Sequence, residues 1–414
     1  MITELLAAQR AGWSLDRAFY RDADIYELEE KLLFPRQWTV VGHVSELPQR
    51  GSYIQRSLFG QEIVVVNAGD EGYRAFHNVC THRGSRICKE DGRSPLLVCP
   101  YHAWSFKLTG ALQTTKDLPD DADPAELGLH PVPMHEMGGL IVCGLDEDVL
   151  PDIAPMKAAL LPALQYHGLD RAKIAVRQSY PTYANWKLVL ENFFECYHCR
   201  PSHPEYFRMN GHIAVSAISD PDRAAIWEDD VAQWRAKQDA SAPHNQQLRV
   251  RGGIGEVHYS LYRQPIGLDR KTASRTGEPV APVMGRMDGH DGGETAFHIG
   301  QLSFMGAYND YAILFQFLPQ GPEETDVIAT WLVDADADLA DIDTDAMTFM
   351  WDVTTRQDKM IIEENAAGVR SPAYRPGPYT KLEAQTSGFV SDYVDIMTNL
   401  VTPPPPTVVA RAVA

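Results

Sequence analysis

HNVCTHRGSRIC at residues 77–88 and CPYHAWSFKLTGAL at residues 99–112 are the two runs that decide how this chain folds. They supply Cys80, His82, Cys99 and His102, spaced C-x-H, then sixteen residues, then C-x2-H. Each pair stands where a short apolar run gives way to a turn, so two loops can clasp one metal centre between them. Two chemistries suit two cysteines and two histidines. One is structural zinc, closed and tetrahedral. The other is a [2Fe–2S] cluster with two thiolates on one iron and two imidazoles on the other. The short C-x-H pair is unusual for zinc fingers, and no helix follows to carry their H-x3–5-H pair, so the spacing favours the cluster. Neutral imidazoles in place of two thiolates raise the reduction potential and suit an electron relay.

Working outward, the pattern from Trp38 to about residue 149 is one of short strands broken by Gly, Asp and Pro: WTVVGHV, SYIQRSLF, EIVVVN, YRAFHN, LLVCP, ALQTT and GGLIVCGL. This predicts a small all-β module. Cys88, His77, His43 and Cys143 fall outside the ligand spacing and are expected to be packing residues. Residues 1–37 are expected to be an arm with one short helix over Ile25–Phe34. Beyond residue 155 helices are predicted in MKAALLPALQYH and NWKLVLENFFECYH, consecutive antiparallel strands over 298–334, and a long helix over Thr344–Ala367. The Gly-rich stretch 264–294 is expected to be a mobile loop, and the Pro-rich tail LVTPPPPTVVARAVA to be peripheral. The fold class is therefore α+β, an all-β domain at 38–155 ahead of a mixed domain at 156–414.

A formal charge of −19 argues against binding nucleic acid, whose phosphates need a basic surface. No apolar run is long enough to span a bilayer and no secretory core stands at the start, so a cytoplasmic location is expected. Six cysteines are too few for a disulfide framework, and clustered Cys and His point to metal instead.

A second constellation lies in ENFFECYHCRPSH at 191–203. Glu191, Glu195 and His198 fall on one stripe of the predicted helix, and Pro201 is expected to break it so that His203 can swing back toward His198. Two histidines make a poor metal site without a third ligand. The long C-terminal helix offers Asp358 in the stripe of Met347, Trp351 and Thr354, where an unpaired carboxylate would be costly. Asp352 falls on a polar stripe, where solvation explains it. His198, His203 and Asp358 together form the set of a 2-His-1-carboxylate iron site with open positions. The alternative is a pair of packed histidines and a buried Asp–Lys or Asp–Arg pair.

On these two motifs, in this order, the chain resembles the catalytic α subunits of Rieske non-haem iron oxygenases over nearly its whole length. The resemblance implies an N-terminal Rieske domain and a C-terminal helix-grip domain. Cys80 and Cys99 would bind one cluster iron, His82 and His102 the other. His198, His203 and Asp358 would hold a mononuclear Fe(II) that uses O2. The family also implies a head-to-tail homotrimer, alone or stacked as a hexamer, in which a carboxylate here matched by Glu195 bridges His198 to the neighbour's His102. Most relatives have Asp at that bridge. Glu points to the branch of glycine betaine, proline betaine and carnitine oxygenases, which ANWKLVLENFFECYHCRPSHPE and WDVTTRQDKMIIEENAAGVRSPAYRPGPY also resemble.

That branch implies hydroxylation of an N-methyl group and release of formaldehyde. An aromatic cage would receive the ammonium, with Tyr259, Tyr262, Phe304, Phe315 and Phe317 as candidates. The chain has no nucleotide-binding Gly-rich motif and no four-cysteine ferredoxin set, so NAD(P)H and flavin are expected on a separate flavin/iron–sulfur reductase. Two other functions remain open at this point: hydroxylation of an aromatic acid, and a Rieske electron-transfer or redox-sensing protein without the second iron.

Overall fold

The computed structural model describes residues 1–209, 212–267 and 269–402. Most of the proline-rich tail lies outside the described residues. Three small antiparallel sheets build the N-terminal domain, and one seven-stranded antiparallel sheet builds the C-terminal one.

In the N-terminal domain the strand Gln61–Asn67 is the hinge of the packing. Its run Ile63, Val64, Val65, Val66 is fully buried on both faces. Val64 and Val66 join the core behind the cysteines, with Phe76, Trp104 and Phe106. Ile63 and Val65 face the other way into the large core shared with the C-terminal domain. A continuous apolar run, rather than an alternating one, is what a strand covered on both sides requires. The expected strands are present, and Met134–Met137 joins them through a tight hairpin at Gly138 and Gly139, both at positive φ. A Cβ at Gly139 would stand 2.2 Å from the Leu169 carbonyl oxygen, so only glycine fits there.

Residues 1–37 carry more than the one helix expected of them. Leu15, Phe19, Tyr20, Ile25, Tyr26, Leu33 and Phe34 are all buried in the main core. Within the same segment Glu29 is fully buried and accepts from Lys187 Nζ (2.6 Å), Trp186 Nε1 (2.9 Å) and Tyr393 OH (2.5 Å). A charge pair out of water persists when its remaining hydrogen-bonding capacity is met, as it is here. The segment is thereby bolted to the helices Trp186–Phe193 and Ala384–Val401.

The seven strands of the large sheet run in the order Lys173–Thr182, Glu324–Val333, Ala312–Gly321, Ser303–Ala307, Gly293–Ile299, Tyr259–Pro265, Leu248–Val250. The helix Ala154–Tyr166 covers one face through Met156, Leu160 and Leu164. The other face turns toward the helices Trp186–Phe193, Thr344–Arg370 and Ala384–Val401. Asp343 caps the long helix by accepting from Ala346 N, and Arg370 sits in its last turn, both suited to the helix dipole. The described residues of 264–294 are tied down rather than loose. Thr272 donates to Asp310 (2.6 Å), Arg263 grips Asp291 (2.7 Å), and Ala273 and Met284 are buried.

Candidate metal centres and the hollow beside them

Cys80 and Cys99 are both buried, while His82 and His102 stand at the surface on the same two loops. The loops are built alike. Gly84 N donates to Cys80 O (2.9 Å) and Ala103 N to Cys99 O (3.1 Å), and Gly84 and Ala103 both have positive φ. Each loop therefore curls so that the cysteine points inward and the histidine outward. The imidazoles lie 4.8 Å apart between centroids, and Trp104 stacks on His82 at 4.6 Å. Burial, and then the adjoining Cys99 thiol, push the Cys80 thiol up. Two thiols crowded in an apolar pocket are relieved by a metal that takes them as thiolates, so this donor set suits a cluster. Asn78 braces the first loop by accepting from Ile87 N and Cys88 N and donating to Cys88 O. Cys88 is buried in the same small core as Cys80 and Cys99, Cys143 in the main core, and His43 bonds Ser45 and the Leu169 carbonyl.

The helix that carries the second constellation ends earlier than the sequence suggested. It spans Trp186–Phe193, capped at its start by Asn185, and stops before Glu195. Glu195 accepts from the backbone N–H groups of Tyr197 and His198. A side chain that offers those donors a partner competes with continuation of the helix, so the break lies here and not at Pro201. Pro201 instead sits inside the next short helix, Cys199–Ser202, within its first turn, where a missing N–H costs nothing. Glu191 consequently leaves the stripe of Glu195 and His198 and bonds Tyr20 and Tyr379.

The structure brings His198, His203 and Asp358 together. Asp358 Oδ1 lies 3.2 Å from His198 Nε2 and 3.0 Å from His203 Nε2. The opposite nitrogens are spoken for. His198 Nδ1 meets Glu195 Oε1 at 2.5 Å, and His203 Nδ1 meets Gln357 Oε1 at 3.0 Å. Gln357 Nε2 donates to Glu205 (2.7 Å), so its Oε1 must accept, which places the His203 proton on Nδ1. That leaves His203 Nε2 a bare acceptor, buried and without a hydrogen-bond partner. Burial disfavours a charge on His198, but Asp358 and Glu195 outweigh it and lift the ring to about 9. Burial likewise raises Asp358, and its neighbours, led by the hydrogen bond of His198, more than reverse it, so its carboxyl is held low. Two imidazole Nε2 atoms converging on one carboxylate oxygen, one of them without a hydrogen bond, fit a divalent cation. Asp352 lies apart, on Tyr180 OH (2.8 Å) and Arg356.

Gln357, Glu205 and Asn192 (3.4 Å from His198 Nε2) escaped the sequence reading. So did a disulfide between Cys196 and Cys199, which clasps the turn around His198; its signal was the C-x-x-C spacing. The cage candidates divide. Phe304, Phe315 and Phe317 pack around Phe193 (4.9, 6.2 and 4.7 Å between centroids) on the helix-facing side of the sheet. Tyr262 shares that side, but Tyr259 belongs to the opposite core, because successive strand residues alternate faces.

A hollow of about 370 Å³ opens on the Glu195 side of His198, lined by Tyr20, Glu191, Glu195, His198, Tyr379 and Glu383 among others. Burial pushes the Glu191 carboxyl up to about 7, against the hydrogen bonds of Tyr20 and Tyr379. An acid raised from 4.5 keeps its proton in the fold after the unfolded chain has lost it, so stability falls as pH rises from about 4.5 to 7. Allowing for the hollow's water, the loss is roughly 2 kcal/mol. Urea titrations of Glu191→Gln should lack that fall and leave the variant the more stable one at pH 8. An identical pH profile in both proteins would show that Glu191 is not the group responsible.

Residues 37–126 match the Rieske [2Fe–2S] domain, and residues 169–399 match the catalytic domain of the ring-hydroxylating α subunit. The glycine betaine monooxygenase oxygenase subunit of Chromohalobacter salexigens is 35% identical over 402 residues, covering 95% of this chain and 88% of that protein. The carnitine monooxygenase oxygenase subunit of Escherichia coli is 31% identical over 63% of this chain and 67% of its own length. A quaternary ammonium Rieske monooxygenase solved with γ-butyrobetaine shares the fold at a TM-score of 0.69, with 21% identity over 97% of this chain and 99% of that one. Naphthalene 1,2-dioxygenase from Rhodococcus shares it at 0.67, with 19% identity over 97% and 98%.

Proposed function

The chain belongs to the Rieske non-haem iron oxygenases, whose catalytic α subunits carry a [2Fe–2S] cluster and a mononuclear iron, and on that premise we propose that it removes a methyl group from a quaternary ammonium, betaine-like substrate. A chain with the catalytic domain is an oxygenase subunit rather than a cluster-only electron carrier. The observation that carries the substrate class is the aromatic wall beside the iron site. Tyr206 lies 6.4 Å from His203, Trp351 6.2 Å from Tyr206, and Phe315 5.7 Å from Trp351. Aromatic faces receive a methylated cation without demanding hydrogen bonds that it cannot make. The 35% identity to a glycine betaine oxygenase supports the same class.

Cys80, Cys99, His82 and His102 would hold the cluster, and His198, His203 and Asp358 the iron. When bound, these groups supply single electrons and dioxygen activation beside a C–H bond. The residues around them set the geometry. Gln357 and Glu205 hold His203 with Nε2 turned to Asp358, and Glu195 does the same for His198, so both nitrogens would be available to the iron. A ring of subunits, as a trimer or stacked hexamer, would bring a neighbour's exposed His102 to Glu195 across the hollow. Tyr101 and Val98, 55% and 47% exposed at that tip, would be covered by such an assembly.

Overall, the substrate's N-methyl group, O2, two electrons and two protons give an N-hydroxymethyl product and water. The product then falls apart to formaldehyde, the demethylated amine and a proton. The electrons come from NAD(P)H through a separate flavin/iron–sulfur reductase. With a surrogate reductase, betaines and carnitine-like compounds should release formaldehyde in step with the demethylated amine, while aromatic acids give no diol or phenol. Formaldehyde from none of the methylated amines would overturn the proposal.

A further inference from the structure

Facing the long helix Thr344–Arg370, the large sheet carries a patch of small residues. Strand register sets Ala296 opposite both Tyr262 and Gly306, and Phe315 opposite both Phe304 and Ala329, on the helix-facing side. Ala296, Gly306 and Ala329 offer almost no side chain, so the large neighbours Tyr262, Phe304 and Phe315 stand beside small ones. Glu294 points to that side as well, two residues from Ala296 on the same strand. A Cβ on Gly306 would stand 2.8 Å from Glu294 Oε1, so the glycine makes room for the carboxylate.

The hydrogen bonds of Glu294 have a fixed direction. Trp351 Nε1 can only donate, and it donates to Tyr308 OH (3.1 Å). Tyr308 then spends its own proton on Glu294 Oε1 (2.9 Å). Oε1 is therefore an acceptor, and Oε2 has no hydrogen-bond partner among the described residues. The nearest base, Arg263, is consumed on the other side of the strand by Asp291 (2.7 Å) and Thr295 (2.6 Å). Burial raises the Glu294 carboxyl, Tyr308 and Arg263 oppose it, and no side chain neutralises it directly. Glu294 and Tyr262 both keep accessible surface while surrounded by protein, as side chains do when they face an internal space.

A carboxylate among aromatic rings with no counter-ion is costly unless it takes up a proton or a cation comes to it. We infer that Glu294, held by Tyr308 and Trp351, is the counter-charge for the ammonium of the substrate, with Tyr262 and Trp351 as its aromatic walls. The inference rests on the proposed N-demethylation and deepens it: shape alone would admit a tert-butyl group as readily as trimethylammonium, and Glu294 selects the cation.

The test uses the holoenzyme and tetramethylammonium, a methylated cation with no tail, in isothermal titration calorimetry. Glu294→Gln keeps the acceptor for Tyr308 but not the charge, and its affinity should fall about tenfold or more. Glu294→Asp keeps the charge and should retain most of the binding. The visible spectrum of the cluster and the iron content serve as folding controls. Should Glu294→Gln not fold, Tyr262→Leu carries the test, with about a tenfold loss expected. Equal affinity in wild type and Glu294→Gln would overturn the assignment while formaldehyde release left the proposed reaction standing. A wild type that ignores tetramethylammonium would also overturn it, and the formaldehyde screen would then judge the reaction on its own.

Discussion

Asp358→Ala should lose the mononuclear iron and essentially all turnover while keeping the visible spectrum of the cluster. Among the described residues the carboxylate is the only anion placed against both Nε2 atoms, at 3.2 and 3.0 Å. Without it, two neutral imidazoles remain, and they hold Fe(II) poorly. Even partners one shell out from a metal are worth about 10–100-fold in affinity or activity, so losing a direct ligand should exceed that. The proposed cluster residues Cys80, His82, Cys99 and His102 lie in the other domain, whose two cysteines pack in their own core, so the cluster spectrum should not change. Asp352→Ala is the matched control: six residues earlier on the same helix, bonded to Tyr180 and Arg356, it should leave the iron in place. Iron analysis of both variants checks the pair. Full iron in Asp358→Ala would remove this residue from the site.

Glu195→Ala should keep both metal centres and still lower turnover by about 10²-fold or more. The side chain has two tasks. One oxygen sits 2.5 Å from His198 Nδ1, and the other accepts from two backbone N–H groups that shape the turn. Removing it frees His198 to rotate, but Asp358 still faces Nε2, so metal binding weakens less than electron delivery does. Single-turnover experiments with the cluster reduced beforehand separate these effects, because loss of the bridge slows oxidation of the cluster without changing its reduction. Near-normal turnover would show that electrons reach the iron by another path.

The N-terminal fold was legible because its candidate cluster ligands are local: C-x-H and C-x2-H each close within one turn, and apolar runs mark the strands around them. The iron site was harder to read, since Asp358 is 155 residues beyond His203 and only its place on an apolar stripe singled it out. What sequence could not show was the supporting layer. Gln357 is an ordinary polar residue beside Asp358 until the fold sets it against His203 and Glu205. The helix end was misplaced for a related reason: Pro201 is a strong breaker by itself, but Glu195 had already drawn off the backbone donors that a longer helix needs. Glu294 gave no signal at all, because its isolation depends on which way Arg263 turns on the neighbouring strand.

An anomalous difference map collected at the iron edge from crystals of the reconstituted protein bears most directly on the whole arrangement. One peak should lie at Cys80, His82, Cys99 and His102, and a separate one among His198 Nε2, His203 Nε2 and Asp358. A map with the first peak alone, or with the second iron held by other side chains, would contradict it.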